Sequence, residues 1–130
     1  MILEHKIKKP ADFVFDYLTD MKKFVLVHPI IYKMEDLGND NYKVYEKLGL
    51  ISFTYSATVK GDKANNTVNI KAVVMKMTHI EMNFTIKDEN GDSVIHETVS
   101  FKSFLPVKGI LAAIFKKQHK QLFSNIEKAE

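Results

Sequence analysis

With 130 residues, 45% of them hydrophobic and 27% charged, the chain has an ordinary globular composition. It is long enough to bury roughly two thirds of its unfolded surface in one domain. The absence of cysteine excludes disulfides, thiolate nucleophiles and cysteine metal sites. Net charge is +3 and all nineteen basic residues are lysine, whereas bidentate contacts to phosphate and guanine favour arginine, so nucleic acid is not an expected partner. Met1 to Pro10 alternates apolar with charged residues and lacks the apolar stretch of a signal peptide. No run approaches the roughly eighteen apolar residues of a membrane span, so the expected location is cytoplasmic, without membrane insertion.

In chain order, Leu3, His5 and Ile7 alternate with charged residues, the period-two signature of a half-buried strand. After Pro10, Phe13, Val14, Tyr17 and Leu18 recur at helical spacing. Asp20 is placed to cap a second short helix carrying Met21, Phe24 and Val25, which His28-Pro29 ends. From Ile30 to Phe104 the pattern reads as six strands joined by short polar turns, the Asn90-Gly91 pair being the strongest hairpin signal. Their inward rows include Phe53, Tyr55, Ala57 and Val59, then Val68, Ile70, Ala72 and Val74. Further rows are Ile80, Met82, Phe84 and Ile86, then Ile95, Glu97, Val99 and Phe101.

Pro106 opens a final helix of roughly twenty residues, about 30 Å long. Val107, Ile110, Leu111, Ile114, Phe115, Leu122 and Ile126 form its apolar stripe, and Lys108, Lys116, Lys117 and Lys120 mostly cover the other side. A sheet with one apolar face must be covered, and only this helix is long enough to do so. The expected architecture is α+β, a curved antiparallel sheet of about seven strands in the order β-α-α-β6-α around a long C-terminal helix. A single domain spans residues 1–130. A curled sheet closed by one helix leaves room between the two, the usual place for a small ligand.

Several short motifs, in order, resemble a known superfamily across essentially the whole chain. They are Ile7-Lys8-Lys9-Pro10 with Val14-Phe15 and Leu18-Thr19-Asp20, then His28-Pro29, and Lys47-Leu48-Gly49-Leu50-Ile51 with Phe53, Tyr55 and Val59. Glu97-Thr98-Val99-Ser100-Phe101 and Pro106-Val107 complete the set. Together they resemble the START-like (SRPBCC, helix-grip) superfamily, on its polyketide-cyclase or carbon-monoxide-dehydrogenase-subunit-G-like branch. The latter branch tends to have proline where this chain has Leu50. The resemblance implies the helix-grip fold and a hydrophobic cavity, but no particular reaction.

None of His5, His28, His79, His96 and His119 pairs with another at metal-binding helical spacing, so neither a metal site nor a cofactor is expected. Glu97 interrupts the apolar row of the last strand, as His5 interrupts that of the first. The helix-grip topology makes those two strands neighbours, so a His5–Glu97 contact is expected. It is either an acid/base pair or polar anchor at the cavity wall, or a structural hydrogen bond. Gln118 and His119 interrupt the helical stripe, so that one of them points into the cavity or the stripe emerges into solvent there.

The expected function is binding of a small hydrophobic or amphipathic molecule, the alternative being a cyclase, dehydratase or hydrolase using His5 and Glu97. The candidate cavity residues are His5, Tyr32, Phe53, Tyr55, Met82, Phe84, Glu97, Val99, Phe101, Phe115, Gln118 and His119. Ligand identity and oligomeric state are left open by the sequence.

Overall fold

The computed structural model describes residues 1–104 and 106–130. Strand β1 (Ile2–Ile7) is followed by helices α1 (Ala11–Thr19) and α2 (Met21–Val27). Six strands follow: β2 (Ile31–Gly38), β3 (Asn41–Leu48), β4 (Ile51–Asp62), β5 (Thr67–Val74), β6 (Thr78–Glu89) and β7 (Asp92–Ser103). Helix α3 (Lys108–Lys128) closes the chain. All seven strands form one antiparallel sheet in the order β1-β7-β6-β5-β4-β3-β2. This is the helix-grip architecture expected from the sequence.

Local chemistry explains the joints. Pro10 stands just outside α1 in extended conformation, and its carbonyl accepts the first helical hydrogen bonds from Phe13 and Val14. The Asp20 carboxylate accepts the backbone N–H groups of Lys22 and Lys23 at the start of α2, donors that would otherwise lack helical partners. Asn90 and Gly91 both take positive φ (56° and 89°), the twist a two-residue hairpin requires between β6 and β7. At Gly61, an added Cβ would lie 2.7 Å from Thr19 Cγ2 and 2.9 Å from Phe15 Cζ, because α1 rests directly on the end of β4.

The close-packed core gathers Val14, Leu18, Phe84, Ile95, Phe123 and Ile126, all almost fully shielded from solvent. It lies where α1 and α2 and the C-terminal half of α3 meet the sheet. The apolar stripe of α3 behaves differently along its length. Leu122, Phe123 and Ile126 are buried, whereas Ile110 is exposed and Leu111, Ile114 and Phe115 are only half-buried. Those upstream residues face a hollow rather than a packed layer.

One expected cavity residue is corrected at β2. Ile31 pairs with Glu46 and Lys33 with Tyr45, so Tyr32 is the extra residue of a β-bulge. The bulge breaks the alternation that would have set Tyr32 beside Met34. Tyr32 is 53% exposed and its ring lies near Tyr45, away from the cavity.

Replacing the α2 cap, Asp20→Ala, is expected to cost about 1 kcal/mol. A urea melt would show a lower midpoint with unchanged slope, and an unmoved midpoint would mean that the cap carries no weight.

Candidate functional site

Between the sheet and α3 lies a cavity of about 310 Å³. Its wall is largely apolar, with Phe53, Ala57, Ala72, Met82, Phe84 and Phe115 among its members. Phe53, Tyr55, Ala57 and Val59 reach it from alternate positions of β4, and Ile70, Ala72 and Val74 from β5. Leu48 at the β3–β4 turn and Met75 at the β5–β6 turn belong to its lining and are exposed, and Leu50, Ile51, Met77 and Phe104 are exposed apolar side chains at the same end of the sheet.

Behind this wall Glu97 sits with no solvent exposure at all. His5 Nε2 lies 3.0 Å from its Oε1, and His119 Nδ1 is hydrogen-bonded to its Oε2. An ionised carboxylate only accepts, so both imidazole nitrogens carry hydrogen. Burial pushes the Glu97 carboxyl up, but the hydrogen bonds and charges of His119 and His5 outweigh it and hold the group below its ordinary value. The register explains the geometry. Leu3 faces Glu97 across the β1–β7 pair and His5 faces Ile95, so His5 reaches Glu97 on the diagonal of the same sheet face. The His5 ring stacks on Phe123 of α3 at 4.2 Å, and His119 stands edge-on to Phe115.

The expected residues therefore divide into two layers. Phe53, Tyr55, Met82, Phe84, Phe115, Gln118 and His119 line the cavity. His5, Glu97, Val99 and Phe101 do not, which corrects their placement at its surface. His5 is screened by Phe123 and spent on Glu97, Val99 is packed into the core, and Phe101 lies edge-on to Phe115. The pair singled out in the sequence thus supports the site from behind, and His119 is the member of the trio that reaches the interior.

Three polar wall residues were not singled out from the sequence. His28, at the end of α2, uses Nδ1 to accept the backbone N–H groups of Ile30 (3.2 Å) and Ile31 (3.0 Å). Burial, reinforced by the charge of His119, lowers its pKa to about 3. Glu46 continues the inward row of Val44 on β3, and that interruption of an apolar row is the signal that could have found it. Burial raises the Glu46 carboxyl against the opposing pull of the Tyr55 hydroxyl and the His119 charge. The Tyr55 phenol is itself raised well above its usual value by burial and by Glu46. Thr78 sits at the start of β6, bonded to Ser103. Among the described residues no group of His, Asp and Glu side chains has the arrangement of a metal site. No helix among them is long and apolar enough to cross a membrane.

Two measurements test this geometry. Glu97→Ala would leave two buried imidazoles without their acceptor and is expected to cost about 3–5 kcal/mol by chemical denaturation. A loss under about 1 kcal/mol would mean that the trio is not coupled. For His28, the unfolded chain takes a proton near pH 6.5 and the folded chain only near 3, so stability declines as pH falls through that window. His28→Asn keeps an acceptor for the two N–H groups and should flatten that decline; an identical acid limb would contradict the assignment.

No protein-family model matches the sequence, and no curated protein matches it. Solved structures do resemble the fold. The crystal structure of Ara h 8.0201 superposes with a TM-score of 0.82 at 16% identity, covering 98% of this chain and 94% of that one. A START superfamily protein from Mycobacterium smegmatis gives 0.82 at 14% identity, with 98% and 94% coverage. The Zhui aromatase/cyclase from Streptomyces sp. R1128 gives 0.76 at 12% identity, with 98% and 92% coverage. At such identities the likeness speaks for the backbone. Together with the strand order and the clasped terminal helix, it shows that this chain has the START-like helix-grip fold.

Proposed function

We propose that the protein is a cytoplasmic binder of a small hydrophobic or amphipathic molecule, held in the cavity between sheet and helix. The observation that carries this reading is the hollow itself. At about 310 Å³ it falls near the lower end of the roughly 300–1,000 Å³ common for ligand pockets. Its wall is almost wholly apolar, and a few polar groups converge on it: His28, Glu46 with Tyr55, Gln118 and His119. Apolar contact would supply most of the affinity and the polar groups the orientation. Structures of similar fold include a START superfamily protein and an aromatase/cyclase, which is consistent with a cavity that holds organic molecules.

Ala57 and Ala72 are direct partners across the β4–β5 pair and both face the hollow. Ala72→Phe should fill it from the sheet side. The expected result is one-to-one binding of a hydrophobic fluorescent dye by the native chain and at least about tenfold weaker binding by the variant, with cooperative unfolding retained. Failure of a broad panel of dyes, lipids and polyketide-like compounds to bind the native chain would end this reading.

One observation favours a second reading, an acid–base enzyme such as a cyclase or dehydratase on the same scaffold. Glu97 holds the Nδ1 side of His119, whose ring also borders the interior, and a buried carboxylate bonded to one imidazole nitrogen is the arrangement that prepares the other for proton transfer. Exchange of the activated protons of 2-tetralone in deuterium oxide, followed by NMR, should then exceed the protein-free rate and return to it in His119→Phe. Equal rates with and without the native protein would remove the enzymatic reading.

A further inference from the structure

One end of the sheet presents a group of apolar side chains to solvent. Leu50 is fully exposed at the β3–β4 turn beside Ile51, and Phe104, just beyond β7, is 93% exposed. Met75 and Met77 stand exposed at the β5–β6 turn, and Ile110 in the first turn of α3. The strand pairing puts these connections at the same end: Leu48 faces Ile51, Val74 faces Thr78, and Thr78 faces Ser103. Leu48, Met75 and Ile110 also line the cavity, so the chamber meets the surface among these side chains. Exposed apolar clusters of this kind mark contact surfaces.

Charge is sorted along the same axis. Residues 47–52, 73–80 and 100–110 hold Lys47, Lys76, Lys102 and Lys108, all exposed, and no aspartate or glutamate. Those four charges exceed the +3 of the whole chain. The hairpin turns at the opposite end carry Asp40, Asp62, Asp88, Glu89 and Asp92, and Lys63 there is paired with Asp12. Turn chemistry differs too. Asn39-Asp40 and Asn90-Gly91 fill the left-handed positions of their hairpins with residues that tolerate them, whereas the β5–β6 turn uses Met75 and Lys76, at φ 56° and 59°. A methionine and a lysine are strained there, so this turn gives up local stability to present one apolar and one cationic tip.

The occupant of this surface must suit both features. A second copy of the chain would set the four lysines against themselves. A rigid partner would need a separate pocket for each tip that stands free on a different connection. An anionic bilayer offers phosphates to the lysines and a deformable apolar layer to the tips. We propose that this end of the molecule docks peripherally on a bilayer containing anionic lipid, with Leu50 and Phe104 at the boundary of headgroups and acyl chains, the four lysines against lipid phosphates, and the cavity mouth opening onto the membrane. The docking stands on this surface alone and is read separately from occupancy of the cavity.

The test is co-sedimentation with phosphatidylcholine vesicles and with vesicles of equal parts phosphatidylcholine and phosphatidylglycerol. The native chain should bind the mixed vesicles at least about tenfold more strongly than the neutral ones. Binding to the mixed vesicles should fall at least about tenfold when Leu50→Ser and Phe104→Ser are combined, two residues outside the cavity lining. Lys47→Gln with Lys76→Gln should weaken it at least about tenfold as well. Lys60→Gln with Lys87→Gln removes the same charge toward the other end of β4 and β6 and should leave binding within about twofold. Dye binding in the cavity should be unchanged in all three double variants, which keeps loss of docking distinct from loss of the ligand site. No sedimentation with the mixed vesicles, binding undiminished without Leu50 and Phe104, or an equal loss on removing Lys60 and Lys87 would overturn the docking and leave the binding reading standing. So would a native dimer that Leu50→Ser with Phe104→Ser converts to monomer, since this face would then be a contact between copies.

Discussion

A carboxylate with no access to water is held in this molecule by two imidazoles, one from the first strand and one from the last helix. An uncompensated charge at such a position is prohibitive, so Glu97 can be buried only while β1, β7 and α3 are all in place. The trio therefore ties together elements that are far apart in sequence and makes their docking interdependent. Apolar side chains of the same volume could hold the three elements equally well. What they could not do is fix the rotation of an imidazole. Glu97 commits the Nδ1 edge of His119, a ring that also borders the interior.

That constraint acts on one end of the helix only. Downstream of His119, Leu122, Phe123 and Ile126 are packed into the core beside Leu18 and Val14. Upstream, Leu111, Ile114 and Phe115 look across a space that no side chain among the described residues fills. A continuous apolar stripe thus serves two purposes, solid packing at the C-terminal end and a chamber roof toward the N-terminal end. The small Ala57–Ala72 pair on the opposite wall helps keep the space open.

Periodicity made the architecture legible. Two-residue alternation in β4, β5, β6 and β7 and the helical stripe of α3 both report which side of an element is apolar, and one apolar sheet face with one long helix admits few arrangements. The site was legible in part. Glu97, His5, Gln118 and His119 stood out as polar residues in apolar rows, and the β1–β7 pairing explains why His5 meets Glu97. That Glu97 would also take His119 depends on the rotation of α3 against β7, which no local pattern encodes. Tyr32 was misplaced because a bulge inserts one residue without any composition signal around it. His28 escaped notice because its proline neighbour suggested a helix stop and nothing more, although its ring is fixed by the backbone that follows. An apolar wall residue and an apolar core residue also share the same pattern, so the division between Phe53 on the wall and Val99 in the core appears only in three dimensions.

The position of the greasy rim relative to the histidines bears on how fast the chamber exchanges its contents. Along β6 the lining runs from Thr78 beside the exposed Met77 to Phe84 next to His119, so the imidazole lies inward of the rim. A polar group entering past Leu48, Met75 and Ile110 would shed much of its hydration among apolar side chains before it reaches His119. The least favourable point of the journey thus falls partway along, for arrival and departure alike. Residence in the chamber is then governed by the height of that desolvation barrier as well as by the depth of the well behind it.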